Sequence, residues 1–194
     1  DDALFLQLVD VAAHDVRRID RLVSEISEAS RIDAEISRTT FEHVDLARLI
    51  QNILRAREDR GENARRRITL DCGPGDLAVM GVPLRLERIV ENLLDNAVSF
   101  SGEGAEVSIT LSRKGGRVIV MVCDEGPGIP EGEREKVFRR FHSDRPEAES
   151  FGNHSGLGLA IARTIAEAHD GSLRVEGRPD NKQGACLVLD LPGA

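Results

Sequence analysis

The sequence predicts a two-layer α/β sandwich preceded by one long α-helix. Residues 4–37 contain neither Gly nor Pro, whereas helical and strand-like patterns are mixed from residue 41 onward. Two of the strand patterns flank Gly115-Gly116 and read as a hairpin, which favours a mixed sheet over a parallel wound sheet. The pattern therefore divides the chain into a helical arm, residues 1–40, and an α/β domain, residues 41–194.

The helical arm is amphipathic along its whole length. Its apolar residues recur three and four positions apart, with charged residues between them: Leu8, Val11, Ala12, Val16, Ile19, Leu22, Val23, Ile26, Ala29 and Ile32. A lone helix cannot bury such a stripe, so the stripe predicts a helical bundle or a coiled-coil dimer. His14 and the adjacent Asp15 lie mid-helix without a nearby Pro, and we interpret His14 as a surface or bundle-edge residue.

The α/β domain reads as short elements separated by polar or Gly-rich loops. Residues 41–45 read as a connector and residues 58–67 as a polar loop. Pro83 suits the first turn of a helix, where its missing N–H costs nothing. Helices are predicted over residues 46–57, 83–99 and 157–169. Strands are predicted over residues 68–72, 77–81, 107–113, 118–124, 172–176 and 186–191.

Composition limits the function classes. The net charge of −8 argues against a nucleic-acid binder and requires any phosphate site to be locally cationic or metal-assisted. Aromatic residues make up only 3% of the chain, with no Trp or Tyr, so the core must be aliphatic. The three cysteines lack metal-ligand spacing and are interpreted as reduced core thiols in a reducing compartment. No run reaches the length of a membrane span and no signal peptide is recognisable, so a soluble chain is expected.

Four short motifs follow one another between residues 91 and 160. They are Glu91-Asn92-Leu93-Leu94-Asp95-Asn96-Ala97, Asp124-Glu125-Gly126-Pro127-Gly128-Ile129-Pro130, Val137-Phe138-Arg139-Arg140-Phe141 and Gly156-Leu157-Gly158-Leu159-Ala160. Each alone is weak evidence. Together they predict a nucleotide site.

The first motif supplies candidate metal ligands. Asn92 and Asn96 are four residues apart on one face of the helix predicted from Pro83, and Arg88 shares that face. A solvated polar face would explain this spacing equally well on the helix alone. The functional interpretation is that the amide oxygens coordinate Mg²⁺, which prefers oxygen ligands and is often shared with substrate phosphates.

The second motif supplies a candidate base-recognising carboxylate. Asp124 ends a strand and could accept a hydrogen bond from an amino group such as that of adenine; the alternative is a turn-forming Asp. Gly126 and Gly128 would let the backbone approach a flat ring closely. Ile129 belongs to the same candidate surface.

The last two motifs supply a flap and a phosphate-binding helix start. Free N–H groups at the helix that opens with Gly156-Leu157-Gly158-Leu159 favour phosphates, although helix capping alone would explain an isolated pair of glycines. The polar segment 142–155 resembles a lid anchored by Phe138 and Phe141. A cationic patch could come from Arg139, Arg140 and Arg145, for which solvated surface is the alternative; a core role for either Phe is compatible with anchoring.

The four motifs resemble, in this order, the N, G1, F and G2 boxes of the ATP-binding domain of sensor histidine kinases. That domain shares a superfamily with gyrase B, Hsp90 and MutL. The resemblance covers about Phe41 to Pro192, and the preceding helix resembles the second helix of the kinase dimerisation domain. His14 to Arg18 and the lid segment also resemble the ChvG/ExoS branch of sensor kinases.

The resemblance implies a Bergerat-type ATP-binding fold, with a mixed sheet and about three helices, that uses ATP and Mg²⁺. It implies that Asn96 and Asn92 bind the metal, that Asp124 binds the adenine amino group and that Phe100 packs near adenine. Gly156 and Gly158 would lie against the phosphates, with Leu157 and Leu159 beside them. Asn92, Asn96 and Arg140 are the candidate catalytic residues.

Three departures from the family bear on chemistry. Ser99 stands where the family often has a phosphate-contacting Lys, so either a lid Arg or Mg²⁺ compensates or the affinity for the nucleotide is lower. The phosphoacceptor His of the first dimerisation helix has no counterpart, so the chain is not expected to autophosphorylate. Asn92 occupies the position where the superfamily's ATP hydrolases and serine kinases carry a general-base Glu, and Glu91 is turned about 100° around the helix.

These features favour transfer of the ATP γ-phosphate to a histidine, for relay to the receiver domain of a response regulator. The intact protein is expected to form a homodimer through its helical bundle. It would be the cytoplasmic portion of an inner-membrane sensor, reaching the membrane only through segments outside this chain. A serine kinase or ATPase of the same superfamily, and a non-catalytic dimerisation or nucleotide-binding module, are the alternatives.

Overall fold

The computed structural model describes residues 40–63, 65–141 and 156–194. The predicted helix over residues 4–37, with His14, lies outside the described residues, as does the predicted lid with Arg145. In the described part, the strands are β1 (Glu42–Asp45), β2 (Arg67–Cys72), β3 (Ala78–Gly81), β4 (Glu106–Lys114), β5 (Arg117–Cys123), β6 (Ser172–Gly177) and β7 (Ala185–Pro192). The helices are α1 (Leu46–Asp59), α2 (Pro83–Phe100) and α3 (Gly158–Glu167), with single 3₁₀ turns at Glu131–Glu133 and Lys136–Phe138.

Five strands form one mixed sheet in the order β2-β4-β5-β7-β6. β2 runs parallel to β4, and every other neighbouring pair is antiparallel. β4 and β5 form the expected hairpin, in which Gly115 and Gly116 both have positive φ, at 54° and 82°. A two-residue turn with this geometry matches the twist of the flanking strands, which explains why the sequence carries two glycines there.

The expectation that residues 41–45 form a connector is wrong. Residues Glu42–Asp45 form β1, which pairs antiparallel with β3 so that Val44 lies opposite Val79. Only Val44 of this strand is buried. Four residues with one apolar side chain carry too little alternation to be recognised, and the strand exists because β3 offers it an edge.

The sheet buries one face against the helices. Burial alternates along β5, where Val118, Val120 and Val122 are each at most 1% exposed and belong to the main core with residues of α2 and α3. That core is almost entirely aliphatic, with Phe138 as its buried aromatic residue in the described chain. The predicted two-layer α/β sandwich is therefore confirmed. The proposed boundary near residue 40 stays a prediction.

The expectation of reduced core thiols fails for each cysteine in one respect, since the two core cysteines are oxidised and the free one is exposed. Cys123 and Cys186 are joined by a disulfide, and Cys72 is exposed. The two bonded residues are 63 positions apart in sequence but lie directly opposite each other on β5 and β7. Strand pairing brings them together, and spacing in the sequence could not reveal it.

A buried histidine fixes the start of α2. His169 is 3% exposed; its Nδ1 lies 2.8 Å from the carbonyl of Ile165, and its Nε2 accepts a hydrogen bond from the N–H of Val82 at 3.1 Å. The ring is therefore neutral with its proton on Nδ1, and burial lowers its pKa. Because Val82 precedes the first turn of α2, this contact ties the end of α3 to the beginning of α2. No helix in the described ranges is both long and apolar enough to cross a bilayer.

Candidate functional site

The first and last motifs meet at one point in the fold. Asn92 is 8% exposed, and its Oδ1 lies 3.1 Å from the position a Cβ on Gly158 would occupy. Gly158 begins α3, so the absence of a side chain there lets α3 approach the polar face of α2. The Nδ2 of Asn92 is buried and has no hydrogen-bond partner among the residues that the structure describes. A buried amide of this kind is suited to a ligand that is not part of the chain.

Asn96 and Phe100 continue the same side of α2 toward its end. Both are half-buried, and the Ser99 hydroxyl donates to the carbonyl of Asn96 at 3.0 Å. The Ser99 side chain therefore makes a local hydrogen bond to the backbone within the last turn of α2. The spacing of four between Asn92 and Asn96 keeps the two amides on one helix face, as predicted.

The Glu91 and Asp95 carboxylates of the first motif face α1. Buried Arg57 of α1 donates from Nη1 to Glu91 Oε2 and, at 2.8 Å, to Asp95 Oδ1. Arg60 adds a longer contact to Glu91 at 3.5 Å. Glu91 is consequently engaged in an ion-pair network with α1, and its carboxylate is not available beside Asn92 as a general base.

Asp124 is buried where β5 ends. Its Oδ1 accepts from the backbone N–H of Gly126 at 2.8 Å and of Ala185 at 3.3 Å. Burial raises the pKa of its carboxyl group above the usual value, opposed by the two backbone hydrogen bonds and by the charge of Arg178. The side chain follows the alternation of Val120 and Val122, so it points to the helix-covered face of the sheet.

Glycines bring backbone close to Asp124 from two sides. A Cβ on Gly126 would lie 2.8 Å from the carbonyl oxygen of Phe100 and 2.9 Å from Asp124 Oδ1. Gly184 has φ +132°, and a Cβ there would lie 2.0 Å from the carbonyl oxygen of Asp124. Gly128 in turn packs on Gly184, with its Cβ position 3.0 Å from the Gly184 carbonyl oxygen. The second motif therefore packs between the end of α2 and the β6–β7 loop.

The third motif is held against α3. Phe138 is buried, and the guanidinium carbon of Arg163 lies 4.8 Å from its ring centroid while Arg163 also pairs with Glu135 at 2.8 Å. Ile129 is half-buried against the same core. Phe141 is 62% exposed with φ +62°, so it is not a core residue, and its role at the base of a lid stays a prediction. Its N–H donates to the carbonyl of Gly156 at 3.1 Å.

The start of α3 carries no side-chain cap. Leu157 occupies the cap position and is buried, with no hydrogen bond from its side chain to the first-turn amides, while Leu159 is half-buried against the core. Gly156 has φ +70°. The N–H groups of such a helix start can bind an anion together with the positive end of the helix dipole.

Comparison with known proteins agrees with this geometry. The family model for histidine kinase-, DNA gyrase B- and HSP90-like ATPases matches residues 81–194. The chain belongs to this family. ATP binding is a property of the family, and the match includes all four motifs.

The relatives of this ATPase-family chain include sensor proteins. It is 44% identical over 198 residues to Sensor protein ChvG of Rhizobium meliloti, an alignment covering 96% of this chain and 34% of that protein. The chain thus spans about a third of the length of the curated relatives it matches. It is also similar to the full-length ShkA structure in complex with AMPPNP, at 27% identity and TM-score 0.76, over 91% of this chain and 36% of that one. The structure of histidine kinase ThkA with response regulator TrrA shares the fold, at 24% identity and TM-score 0.74, over 100% of this chain and 53% of that one.

The structure brings together several of the residues that the sequence indicated for this ATPase-family site. Asn92 meets Gly158, and Gly126 meets the end of α2 at Phe100. Arg139 and Arg140 are exposed, so a role for Arg140 in catalysis stays a prediction. In the described ranges no group of three or more His, Cys, Asp or Glu side chains could hold a metal ion.

Sequence reasoning missed the β6–β7 loop. Arg178, Gly184 and Ala185 all contact Asp124, although they lie more than 50 positions away in the sequence. The available signal was the turn-rich run Pro179 to Gly184, which follows a strand and precedes another. That run predicts a loop but not its contact with Asp124.

Proposed function

We propose that this chain is the ATP-binding catalytic portion of a sensor histidine kinase, with residues 41–194 as the catalytic domain. It would donate the γ-phosphate of ATP to a histidine on a dimerisation helix outside this chain, and residues 1–40 would be the second helix of that dimerisation bundle. A response regulator receiver domain would take the phosphoryl group onward. The intact protein would be a homodimeric inner-membrane sensor with this portion in the cytoplasm.

One observation carries the choice of reaction. On the polar face of α2, the position suited to a general base is Asn92, and the neighbouring Glu91 is bound to buried Arg57. An amide cannot accept a proton from water or from a serine hydroxyl. A neutral histidine is already a nucleophile and needs no such base. The site is therefore suited to phosphoryl transfer to histidine rather than to hydrolysis.

The base end of the site has the donor and acceptor pattern that adenine requires. Asp124 would accept a hydrogen bond from the adenine amino group, since its Oδ1 is occupied by Gly126 and Ala185 and its Oδ2 has no hydrogen bond among the described residues. Gly126 packs against Phe100 and Gly128 against Gly184, so the absence of side chains lets the second motif close around Asp124. Ile129 and Phe100 are half-buried apolar residues that would contact the ring.

The residues at the phosphate end fit Mg²⁺ as a second bound group. Asn92 has a buried amide nitrogen without a partner in the described chain, and rotating its amide by 180° would present oxygen there instead. Asn92 and Asn96 would hold the ion through neutral oxygens, so its charge would remain available to neutralise the phosphates. The uncapped N–H groups of α3 would orient the phosphate chain, and positioning supplies much of the rate in phosphoryl transfer.

Phosphorylation of a supplied acceptor tests the proposal. The chain is mixed with Mg²⁺ and ATP labelled at the γ-phosphate, together with a dimerisation-bundle fragment that carries the phosphoacceptor histidine. We expect acid-labile label on the fragment, and none when that histidine is replaced by Ala. Acid-stable label on a serine, or free phosphate alone, would instead indicate the serine kinase or ATPase alternative. ATP binding without transfer would indicate a non-catalytic module.

A further inference from the structure

Arg178 lies against the backbone of Asp124, the residue proposed to bind the adenine amino group. It follows the last residue of β6, and its side chain is only 12% exposed. Its Nη1 donates to the backbone carbonyl of Asp124 at 2.9 Å. Its Nε and Nη2 donate to the two carboxylate oxygens of Asp180, at 3.0 and 2.8 Å. Asp180 therefore fixes the guanidinium in the orientation that reaches Asp124.

The backbone of Asp124 depends on the β6–β7 loop for its remaining partners. Its N–H donates to the carbonyl of Ala185 at 2.9 Å, and Gly184 packs directly on its carbonyl. Gly184 also contacts the stem of Arg178, since a Cβ there would lie 2.8 Å from Arg178 Cδ. Removal of the guanidinium would leave the carbonyl of a buried residue without its described donor, and the peptide between Asp124 and Glu125 would lose the group that fixes its plane.

The charge of Arg178 also favours the ionised form of the Asp124 side chain. Burial raises the pKa of Asp124, and the guanidinium opposes that rise. The Nη1 of the same guanidinium lies 3.9 Å from Glu125 Oε1, so its positive charge is near both acidic residues that open the second motif. An ionised carboxylate can only accept hydrogen bonds. It therefore favours an amino group, which donates, and disfavours a carbonyl oxygen, which also only accepts.

We propose that Arg178 is a positioning residue for purine selectivity: it holds Asp124 so that its carboxylate accepts from an exocyclic amino group and disfavours purines that lack one. The role rests on the proposed function, because it acts only through the adenine contact assigned to Asp124. Asp180 supports the role by orienting Arg178.

The affinities for two triphosphates distinguish a role of Arg178 in purine selectivity from a general structural role. ATP carries the 6-amino group, and purine riboside triphosphate lacks it while keeping the ring, sugar and phosphates. We expect Arg178→Met to weaken ATP binding about tenfold and to weaken binding of purine riboside triphosphate less than about twofold. Titration calorimetry of the full chain with Mg²⁺ measures both affinities. Arg178→Lys, which keeps a donor and the charge but loses the paired contact to Asp180, should recover part of the loss.

Arg174→Met is the matched control. Arg174 lies on β6, pairs with Glu176 at 2.7 Å, and contacts Asp190 rather than the second motif. The Arg174→Met variant should leave the ratio of the affinities for ATP and purine riboside triphosphate unchanged. Equal weakening of both triphosphates by Arg178→Met would overturn the proposal, since loss of general structure affects both.

A double-mutant cycle tests whether the effect passes through Asp124. Asp124→Asn alone should lower the ATP preference, and adding Arg178→Met should lower it no further. Additive losses would mean that Arg178 acts elsewhere and would overturn the positioning role. If Asp124→Asn alone leaves the preference intact, the adenine contact of Asp124 fails, and the proposal for Arg178 fails with it while histidine phosphorylation can still be observed.

Discussion

The two ends of the proposed nucleotide site are built differently. Asp124 at the base end is 4% exposed and is bound by the backbone of Gly126 and Ala185 and the side chain of Arg178. At the phosphate end, the Asn92 amide nitrogen has no partner in the described chain, Asn96 is half-buried, and α3 begins without a side-chain cap. At the base end the chain itself holds Asp124 in place and leaves its Oδ2 to a ligand, whereas the phosphate end is suited to be completed by the nucleotide and its metal.

The difference follows from chemistry. A flat, uncharged ring can be recognised by one carboxylate and closely packed backbone, all of which the fold can satisfy in advance. Phosphates carry several charges, and a chain with net charge −8 gains from leaving donors and a metal position open for them. We therefore expect mutations at the base end to alter both stability and selectivity, and mutations at the phosphate end to alter binding while sparing stability.

The largest effect is expected from Asn96→Ala at the phosphate end. It removes an amide oxygen proposed to hold Mg²⁺, so Mg²⁺-dependent ATP binding should fall by about 100-fold or more, which corresponds to about 2.7 kcal/mol. Calorimetric titration with and without Mg²⁺ measures it. Asn52→Ala on the exposed side of α1 is the control. Unchanged affinity in Asn96→Ala would mean that the metal is held elsewhere.

A pair of glycine substitutions tests the comparison directly. Gly184→Ala places a methyl group 2.0 Å from the Asp124 carbonyl at φ +132° and should lower the free energy of unfolding by about 2–4 kcal/mol. Gly158→Ala meets the Asn92 side chain, with Oδ1 nearest at 3.1 Å, and should leave stability within about 1 kcal/mol while weakening ATP binding.

Urea unfolding and ATP titration of both glycine variants give the two readouts. Gly132→Ala is the control, because a Cβ at that glycine has nothing within 4 Å. A larger loss of stability in Gly158→Ala than in Gly184→Ala would reverse the proposed contrast between the two ends.

The disulfide provides a third test, because it lies beside the base end. Cys123 and Cys186 immediately adjoin Asp124 and Ala185, and the bond closes a separation of 63 residues. Cys186→Ser should lower the free energy of unfolding by about 2–4 kcal/mol. Urea unfolding with and without a dithiol reductant checks this: the reductant should destabilise the wild type and leave Cys186→Ser unchanged. A wild type insensitive to the reductant would show that the bond contributes nothing to stability.

The smallest effect concerns the charge of Asp124. Because its folded pKa lies above the value of about 3.8 expected for an unfolded Asp, the folded state holds its proton more tightly. The contribution of Asp124 to stability should therefore be greatest below pH about 4 and should decrease as the pH rises through its folded pKa. Unfolding of Asp124→Asn and wild type across pH 4 to 8 measures this, and the variant should become relatively more stable toward high pH. A relative gain by the wild type with rising pH would contradict it.

Regular elements were readable from sequence where a local pattern is strong. The apolar spacing of α2 and the paired glycines of the β4–β5 hairpin each predicted an element that the structure contains. β1 escaped because it has one buried residue and gains its pairing from β3. The local pattern also did not separate buried Phe138 from exposed Phe141, because burial depends on packing against other elements.

The sequence by itself determined the fold class, the family and the identity of the candidate nucleotide-binding residues, because motif order and local periodicity are properties of the chain. Tertiary structure alone decided which groups meet. Pairing of β5 with β7 joins Cys123 to Cys186 and brings Ala185 to Asp124. Packing of α1 on α2 pairs Glu91 with Arg57. The β6–β7 loop places the guanidinium of Arg178 against the backbone carbonyl of Asp124. Each of these contacts joins residues more than 30 positions apart, and such distances are set by sheet order and helix packing rather than by any local pattern.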